Sequence, residues 1–415
     1  MPDPAPELIL FENAMLVDGS SPEPLGEVHV LVEGARIREV SEHPIKANRA
    51  RHYDLAGRTL MPGLIDAHAH PCLTRMKIAG LEDIPISLMT AEASIILDRM
   101  LARGFTTIRD AAGGDWGLRE AVERGFLRGP RLFISGRGLS QTGGHGDFRR
   151  RTEDTIPCSC ASALQTTTRI ADGVDQVRRA VRDELRKGAD QIKVMVSGGV
   201  SSPFDPLECR QYSEAELCAA VEEANVRNTY VLAHAYSADA ITHAVRCGVR
   251  SIEHANLIDA DAATLVAQAK AFVVPTLVTF EALARRGRAL GLTDAMLDKL
   301  ARVREAGLRS VELCLEAGVK LGFGTDLLGE THDDQSAEFP IRAEVQPAHE
   351  VIASATRINA EILGRSGELG VIAPGAWADI LVVDGNPLDD LGLLQDQGQH
   401  LPVIMKAGRF YKNTL

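Results

Sequence analysis

The sequence predicts an α/β protein: a closed parallel (β/α)8 barrel, or TIM barrel, together with a small β-rich domain built from both termini. In the middle of the chain, short apolar strands alternate eight times with amphipathic helices, which is the pattern of such a barrel. Both ends of the chain are rich in strands instead. A length of 415 residues suits one large domain with a smaller second one. We place the small domain at residues 1–60 and 369–415 and the barrel at residues 61–368.

The N-terminal segment, residues 8 to about 59, has the alternation of a β-meander. Three turn pairs separate its apolar runs at hairpin spacing: Asp18-Gly19, Glu33-Gly34 and Ala56-Gly57. The C-terminus returns to this pattern, with strands predicted over residues 378–383 and 403–411. So few strands at either end would be marginally stable alone, and we therefore expect the two ends to pair into one composite sheet.

Eight apolar segments in the middle of the chain are predicted to be the parallel strands of the barrel. The helices between them carry start and stop signals. Ser213 and Glu216 have the spacing of a capping box, and Gly188 and Gly248 stand where helices should end. In such a barrel the catalytic residues lie at the C-terminal ends of the strands. The predicted strands are GLIDAHAH (63–70), TTIRDA (106–111), RLFISG (131–136), QIKVMV (191–196), YVLAHA (230–235), SIEHA (251–255), FVVPTL (272–277) and LGFGTD (321–326).

The composition excludes several classes of function. The formal net charge is −12 and no long block of lysine and arginine is present, so we expect no nucleic-acid partner. The N-terminus has no basic residue and only a four-residue apolar run, which predicts neither a signal peptide nor a membrane anchor. The seven cysteines include no Cys-x-x-Cys pair, and we interpret Cys158 and Cys160 as loop or packing residues. A cytoplasmic protein is therefore expected.

Six residues with metal-binding side chains stand in predicted strands or at their ends. His68 and His70 are separated by one residue on the first strand, so their imidazoles point the same way. A His-x-His pair alone is a weak signal, but buried polar residues in apolar strands are costly unless they are paired or bound to metal. The set is His68 and His70 on strand one, Lys193 on four, His234 on five, His254 on six and Asp326 on eight. We predict that these side chains meet at one rim of the barrel.

This set resembles that of the amidohydrolase superfamily in its two-metal form, which has His-x-His on strand one, Lys on four, His on five and six, and Asp on eight. The tail GVIAPGAWADILVVDGNP (370–387) is also similar to the family's return into its second domain. The resemblance implies that the β-rich ends form a β-sandwich beside the barrel. It also implies a metal-dependent hydrolase and, as in many relatives, a homo-oligomer such as an octamer.

The resemblance further implies ligands for two divalent cations, which we expect to be zinc: His68, His70 and Asp326 for one, His234 and His254 for the other. Lys193, carboxylated by carbon dioxide, would bridge the two as a carbamate. A free ammonium repels cations, whereas a carbamate offers two anionic oxygens. A metal-bridging hydroxide would then attack the carbonyl, with Asp326 as the catalytic proton carrier. The alternatives are a lysine paired with a neighbouring acid and histidines that belong to the core.

A narrower resemblance concerns the substrate. VLAHAY (231–236), GGHGD (143–147) and KVMVSGGVSSPFDP (193–206) are similar to segments of the prolidase-like metallocarboxypeptidases, a group that includes ochratoxin-hydrolysing amidases. In that group the residues matching His145 and Tyr236 bind the α-carboxylate of a C-terminal amino acid. This implies a small-molecule substrate with a free carboxylate: an Xaa-Pro or similar dipeptide, an N-acyl amino acid or ochratoxin A. Alternatively, His145 is a loop histidine and Tyr236 a packing residue.

The sequence does not decide the reaction type, the substrate class or the role of His332. A cyclic amidase of the hydantoinase or dihydroorotase type is the main alternative, because it uses the same six metal positions and differs in its loops. Dipeptides and N-acyl amino acids are not distinguished, since no second acidic residue is placed to bind a free amino terminus. The loop 146–164 is expected to shape the pocket, and we interpret its arginine run, 149–151, as a solvated face. The role of His332, shortly after the last strand, is open.

Overall fold

A computed structural model describes residues 7–154, 163–202 and 205–415 of the chain. The chain divides into two compact units, each made of separate segments. The first combines Met1–Asp66, Asp98–Thr107 and Phe339–Leu415, and the second combines Ala67–Leu97 and Ile108–Glu338. Cys158 and Cys160 lie outside the described residues, so their interpretation stays a prediction.

The fold is mixed α/β with parallel strands, as predicted. In the described residues the strands are β1 (Leu8–Leu16), β2 (Glu27–Glu33), β3 (Arg36–Ser41), β4 (Arg51–Asp54), β5 (Thr59–Pro62), β6 (Leu64–Ala69), β7 (Phe105–Asp110), β8 (Arg131–Phe133), β9 (Gly138–Ser140), β10 (Thr168–Ile170), β11 (Ile192–Met195), β12 (Val231–Ser237), β13 (Ser251–Leu257), β14 (Phe272–Val274), β15 (Lys320–Leu321), β16 (Ile380–Val383), β17 (Val403–Lys406) and β18 (Arg409–Asn413). The α-helices are α1 (Ile86–Ala102), α2 (Trp116–Glu123), α3 (Val174–Arg186), α4 (Glu214–Val226), α5 (Ala238–Arg246), α6 (Ala260–Gln268), α7 (Leu277–Arg286), α8 (Asp294–Glu316), α9 (Glu338–Ala343), α10 (Ala348–Ala353) and α11 (Asn359–Ile362). Among these described helices, none has both the length and the apolar character needed to cross a bilayer.

The first unit contains an eight-stranded sheet made from both ends of the chain. Its order is β18-β17-β16-β5-β1-β2-β3, with β4 beside β1. Strands β16 and β5 pair antiparallel, with Ile380 opposite Pro62, and this pairing joins the two termini as the sequence predicts. Alternate residues of β2, namely Val28, Val30 and Val32, are buried in the apolar core of this unit.

The meander prediction is right for β1, β2 and β3, which are sheet neighbours in this order with antiparallel pairing, and wrong for β4 and β5. Gly34 lies in the tight turn between β2 and β3. In contrast, β4 and β5 both run parallel to β1, so Ala56-Gly57 does not close a hairpin. The reason is that β4 and β5 pair with successive parts of the same strand: Ile9 to Glu12, and then Met15 and Leu16. Asp18-Gly19 lies in the connection between the antiparallel strands β1 and β2, which is longer than a tight turn.

The second unit contains a seven-stranded parallel sheet, in the order β10-β9-β11-β12-β13-β14-β15, and the three strands β6-β7-β8 form a separate group. Predicted strands four to seven are confirmed as β11 to β14. The sequence does not predict β9 and β10, because each has only three residues and the segment between them is rich in glycine and polar residues. The predicted eighth strand is regular only at Lys320–Leu321.

Residues 322–326, which follow β15, run between the two groups of strands. On one side the Gly322 amide donates to the Val273 carbonyl at 2.8 Å. On the other side the Ala67 amide donates to the Phe323 carbonyl, also at 2.8 Å. The segment after β15 therefore brings the end of the last strand next to the strand that carries the His-x-His pair.

The helix signals in the sequence are confirmed. Ser213 and Glu216 form a reciprocal capping box at the start of α4. The buried face of that helix includes the apolar residues Leu217, Ala220, Val221 and Ala224. Gly188 and Gly248 follow α3 and α5 with φ angles of +93° and +91°, a conformation that glycine adopts without the strain of a Cβ atom.

Candidate active site

A cavity lies at the C-terminal ends of the parallel strands of the second unit. Its wall includes apolar side chains, among them Leu73, Phe148 and Leu328. Every residue that the sequence analysis proposed for the site also lines it: His68, His70, His145, Lys193, His234, Tyr236, His254 and Asp326. The structure therefore brings together residues that are separated by more than half of the chain.

His68, His70 and Asp326 form the tightest group in the cavity. One ligand atom from each lies within 4.8 Å of the others. His68 Nε2 is 3.4 Å from Asp326 Oδ1, and His70 Nε2 is 3.1 Å from the same oxygen. The Asp326 amide donates to the His68 carbonyl at 2.8 Å, which holds the carboxylate beside β6. Two imidazoles and a carboxylate are a donor set that suits zinc and similar divalent cations.

Hydrogen bonds on the outer side of these imidazoles determine which nitrogen can bind a cation. His68 Nδ1 donates to Glu253 Oε2 at 2.6 Å, and His70 Nδ1 donates to the Ala112 carbonyl at 3.1 Å. In a neutral ring the nitrogen that donates carries the proton, so Nε2, the atom that faces Asp326, is the one that would bind a cation in both histidines. Metal-binding histidines usually donate their second nitrogen in this way. These residues therefore fit a cation at the position that the family resemblance implies.

His234 and His254, on β12 and β13, lie beside this group. Their ring centroids are 4.7 Å apart, and His254 Nδ1 is 3.9 Å from Asp326 Oδ2. His234 Nε2 donates to the Gly198 carbonyl at 3.1 Å, which leaves the lone pair on Nδ1. Burial lowers the pKa of both imidazoles well below its ordinary value. Both rings are thus kept neutral, as metal binding requires.

The backbone is strained at two of these positions. His254 and Asp326 have φ angles of +74° and +51°, in the left-handed region that residues with a Cβ rarely adopt. Such conformations cost about 1–3 kcal/mol each and are concentrated at functional sites. The His254 ring is held by a hydrogen bond of 2.8 Å between Nδ1 and Thr276 Oγ1. The strain is therefore found where the side chain is directed into the cavity.

Lys193 lies on β11 and is 2% exposed. Burial lowers the pKa of its ammonium group to about 8, against the opposing charges of Glu253 and Asp326. Only an uncharged amine reacts with carbon dioxide to form a carbamate. Because its pKa is lowered, buried Lys193 has a larger fraction of uncharged amine near neutral pH than an exposed lysine has.

A buried ion pair behind His68 was not identified from the sequence. Arg109 Nη2 donates to both carboxylate oxygens of Glu253 at 2.8 Å, and Ser251 Oγ donates to one of them at 2.6 Å. Burial by itself raises the pKa of Glu253, but Arg109 and His68 hold it well below its ordinary value. The available signal was the presence of Arg109 in the apolar strand TTIRDA and of Glu253 in SIEHA, because a buried charge requires a partner.

His145 and Tyr236 both contact the His234 ring. The His145 ring stacks on His234 with centroids 4.4 Å apart, and the Tyr236 ring meets it edge-on at 4.8 Å. His145 Nδ1 donates to Asp205 Oδ2 at 3.1 Å, a second contact that sequence reasoning missed. Burial raises the pKa of Tyr236 well above its usual range, so its hydroxyl keeps its proton and can donate a hydrogen bond.

Other polar residues near the site have different partners. Arg149 pairs with Asp147 at 2.7 Å and Arg150 pairs with Glu153 at 2.6 Å, so both arginines are engaged by acids of their own loop. His332 is 4% exposed within the 3₁₀ helix Gly329–Ala337. None of these three basic residues is among the described residues that line the cavity.

Comparison with known proteins places the chain in a family. The amidohydrolase family profile matches residues 59–409. Ochratoxinase from Aspergillus niger is 30% identical over 426 aligned positions, which cover 99% of this chain and 88% of that protein. A crystal structure of an amidohydrolase is 53% identical with a TM-score of 0.96, and that of a prolidase complexed with N-methylphosphonate-L-proline is 48% identical with a TM-score of 0.95. Both comparisons cover 98% of this chain and 100% of the other. The chain therefore belongs to the amidohydrolase family and is a hydrolytic enzyme that acts on amide bonds.

Proposed function

We propose that this enzyme cleaves the amide bond that joins a C-terminal amino acid to an acyl or aminoacyl group. The substrates would be Xaa-Pro and similar dipeptides, N-acyl amino acids or ochratoxin A. The observation that carries this proposal is the contact of His145 and Tyr236 with His234, in the same cavity as His68 and His70. Two hydrogen-bonding groups beside a set of metal ligands suit a substrate whose carboxylate lies next to its scissile amide.

The relatives support the same substrate class. One is an ochratoxinase that aligns with 99% of this chain. Another is a prolidase, 48% identical, whose structure holds a ligand derived from L-proline. Ochratoxin A and proline-containing dipeptides, which these two names suggest, are among the substrates proposed above.

We further propose that the parallel strands close into a (β/α)8 barrel and that the terminal sheet belongs to a β-sandwich. Closure is supported by hydrogen bonds at both junctions between the two groups of strands. At one junction, residues 322–326 lie between β14 and β6, as described above. At the other, the Asp190 amide donates to the Ile134 carbonyl at 2.7 Å, just before β11 and just after β8.

The family is in general metal-dependent, and we propose that this site holds two divalent cations, expected to be zinc. The proposed ligands are His68, His70 and Asp326 for one cation, His234 and His254 for the other, and Lys193, as a carbamate formed with carbon dioxide, for both. When bound, the cations would make water a nucleophile near neutral pH and polarise the scissile carbonyl. The neutral imidazoles and the fixed tautomers of the site support this assignment.

The side chains of the site would orient the substrate and move protons. Burial raises the pKa of Asp326, but His68 and His70 hold it well below its ordinary value, so the carboxylate is ionised and can accept a proton. Asp326 would deliver that proton to the leaving nitrogen. His145 and Tyr236 would donate hydrogen bonds to the substrate carboxylate and hold the amide in place.

A combined metal and substrate analysis tests this proposal. The purified enzyme should contain about two divalent metal ions per chain and should release a free amino acid from at least one of the three substrate classes. Methyl esters of the same substrates should be hydrolysed poorly, because they lack the carboxylate. Equal rates on acids and esters would contradict the role of His145 and Tyr236. Ring opening of a hydantoin, without turnover of these amides, would favour the cyclic-amidase alternative.

We also expect a cytoplasmic homo-oligomer, for example an octamer, that has no nucleic-acid or membrane partner. Self-association is a property of many amidohydrolases and can be measured independently of activity. Light scattering at assay concentration should give a mass several times that of the 44.7 kDa chain. A mass equal to that of one chain would contradict the expectation.

A further inference from the structure

A short loop beside the cavity contacts two of the site histidines. We name residues 198–202 and 205 the support loop. The Gly198 carbonyl accepts a hydrogen bond from His234 Nε2 at 3.1 Å. Asp205 Oδ2 accepts hydrogen bonds from His145 Nδ1 at 3.1 Å and from the Gly199 amide at 3.0 Å. The support loop therefore holds the outer nitrogen of each of these two stacked imidazoles.

The His145 ring also lies directly on the backbone of this loop. A Cβ atom added to Gly199 would be only 2.1 Å from His145 Cε1, far closer than van der Waals contact. No side chain fits between the imidazole and the loop, so the position of the ring depends on the position of the Gly199 backbone. Asp205 is 4% exposed, which makes its hydrogen bond to His145 a buried contact.

The support loop is in turn held by one lysine of helix α8. Lys299 Nζ donates to the carbonyl oxygens of Gly199 and Ser202, both at 2.5 Å, and to that of Asp205 at 3.0 Å. All three donors of the ammonium group are thus used on carbonyls of one loop. Hydrogen bonds from a charged donor are about twice as strong as neutral ones, so this lysine restricts the loop strongly.

We propose that Lys299 is a positioning residue for recognition of the substrate carboxylate. It holds the support loop so that Asp205 and Gly199 keep the His145 imidazole in its binding orientation. The inference rests on the proposed function, in which His145 binds that carboxylate. Lys299 is not among the described residues that line the cavity, so it acts through the loop and not by touching the substrate.

Substitution of Lys299 tests this inference. Lys299→Met removes the charge and the three donors but keeps most of the side-chain length, and Lys299→Arg keeps the charge and several donors. The matched control is Arg309→Met on the same helix, where Arg309 forms exposed ion pairs with Glu312 and Glu316 at 2.9 Å. The probes are Ala-Pro, N-acetyl-L-phenylalanine and ochratoxin A, together with the methyl ester of whichever is hydrolysed fastest.

We expect Lys299→Met to raise KM for the free acid about tenfold while kcat changes less than about threefold. The rate on the methyl ester should stay unchanged, Lys299→Arg should recover part of the loss, and Arg309→Met should behave like the unmodified enzyme. Inhibition by the product amino acid, which needs no turnover, should weaken in parallel with the change in KM. Equal losses on acid and ester would overturn the inference, since a merely structural defect has that effect.

A parallel His145→Ala variant separates failure of the inference from failure of the proposed function. If His145→Ala impairs acid and ester equally, the carboxylate role of His145 is wrong. If it impairs only the acid while Lys299→Met behaves like the control, the proposed function stands and the role of Lys299 is wrong. Should Lys299→Met fail to fold in a thermal melt, Asp205→Asn is the second variant. It should show the same acid-selective rise in KM, and an unselective loss would overturn the inference.

Discussion

The two sides of the cavity are held in place by different means. His68 stands on the regular strand β6 and His70 follows its last residue, and the buried ion pair of Glu253 and Arg109 lies directly behind His68. On the other side, His145 follows a three-residue strand and depends on the support loop. One side is thus built on strand pairing and buried charge, and the other on a loop that a helix residue restrains.

This difference indicates that the two sides of the cavity have different roles, metal binding on one side and carboxylate recognition on the other. Strand-borne residues are fixed by hydrogen bonds along the strands, so the group that would hold the metals is difficult to change without loss of the fold. Residues on loops can vary while the scaffold stays the same. Changes on the strand side should therefore abolish turnover of every substrate. Changes on the loop side should affect only substrates that carry a carboxylate.

The largest effect is expected for Asp326→Asn. Asparagine keeps the size of the side chain but cannot accept the proton and is a weaker ligand, so turnover of acids and esters should both fall by about 10³-fold. The matched control is Asp334→Asn, which removes a carboxylate that pairs with Arg285 and Arg286 outside the cavity and should keep activity. A circular dichroism spectrum like that of the unmodified enzyme would show that the fold is retained. A selective loss on acids alone would contradict the assignment.

The next effect is expected for Lys193→Ala. Loss of the proposed carbamate should remove at least one metal ion per chain and lower turnover by about 10²-fold, because no other group would bridge the two cations. Addition of a small carboxylic acid should restore part of the activity and of the metal content, measured by elemental analysis. The same acid should not rescue Asp326→Asn. Full metal content in Lys193→Ala would show that the lysine is not a ligand.

Glu253→Gln should have an intermediate effect and act through the metal. The substitution leaves the buried Arg109 without its counter-ion, which typically costs about 3–5 kcal/mol of the free energy of unfolding. It also weakens the hydrogen bond that orients His68, and metal affinity should fall about 10- to 100-fold. Glu281→Gln is the control, because its ion pair with Arg304 at 2.7 Å is half exposed and should contribute little to stability. Unchanged denaturation and metal affinity in Glu253→Gln would contradict the supporting role of this pair.

The sequence was more informative about the strand side than about the loop side, for a physical reason. A spacing of two on a strand places His68 and His70 on one face whatever the rest of the chain does. In contrast, Glu253 meets Arg109 across 144 positions, and Lys299 meets Asp205 across 94. Such contacts depend on how whole elements pack, which no local pattern encodes.

The same limit applies to the fold. Amphipathic helices and apolar strands repeat often enough to predict the parallel strands β11 to β14, and the capping box at Ser213 marks its helix. The partners of β4 and β5 could not be predicted in this way, because a short strand pairs wherever the sheet offers a free edge or a free stretch of a neighbour. Strands β9 and β10 are too short to show any alternation.

Tyr236→Phe is expected to have the smallest effect and gives the finest test of carboxylate recognition, since Tyr236 stands on β12 and contacts the same His234 ring as His145. The ring still packs on His234, so only the hydroxyl is lost, and kcat/KM for a free acid should fall about tenfold while the methyl ester is hardly affected. Tyr212→Phe is the matched control, because within the described residues its buried hydroxyl has no hydrogen-bond partner. That change should leave both rates as they are. An equal fall on acid and ester in Tyr236→Phe would mean that the hydroxyl serves the chemical step, and the division between the two sides of the cavity would then not hold.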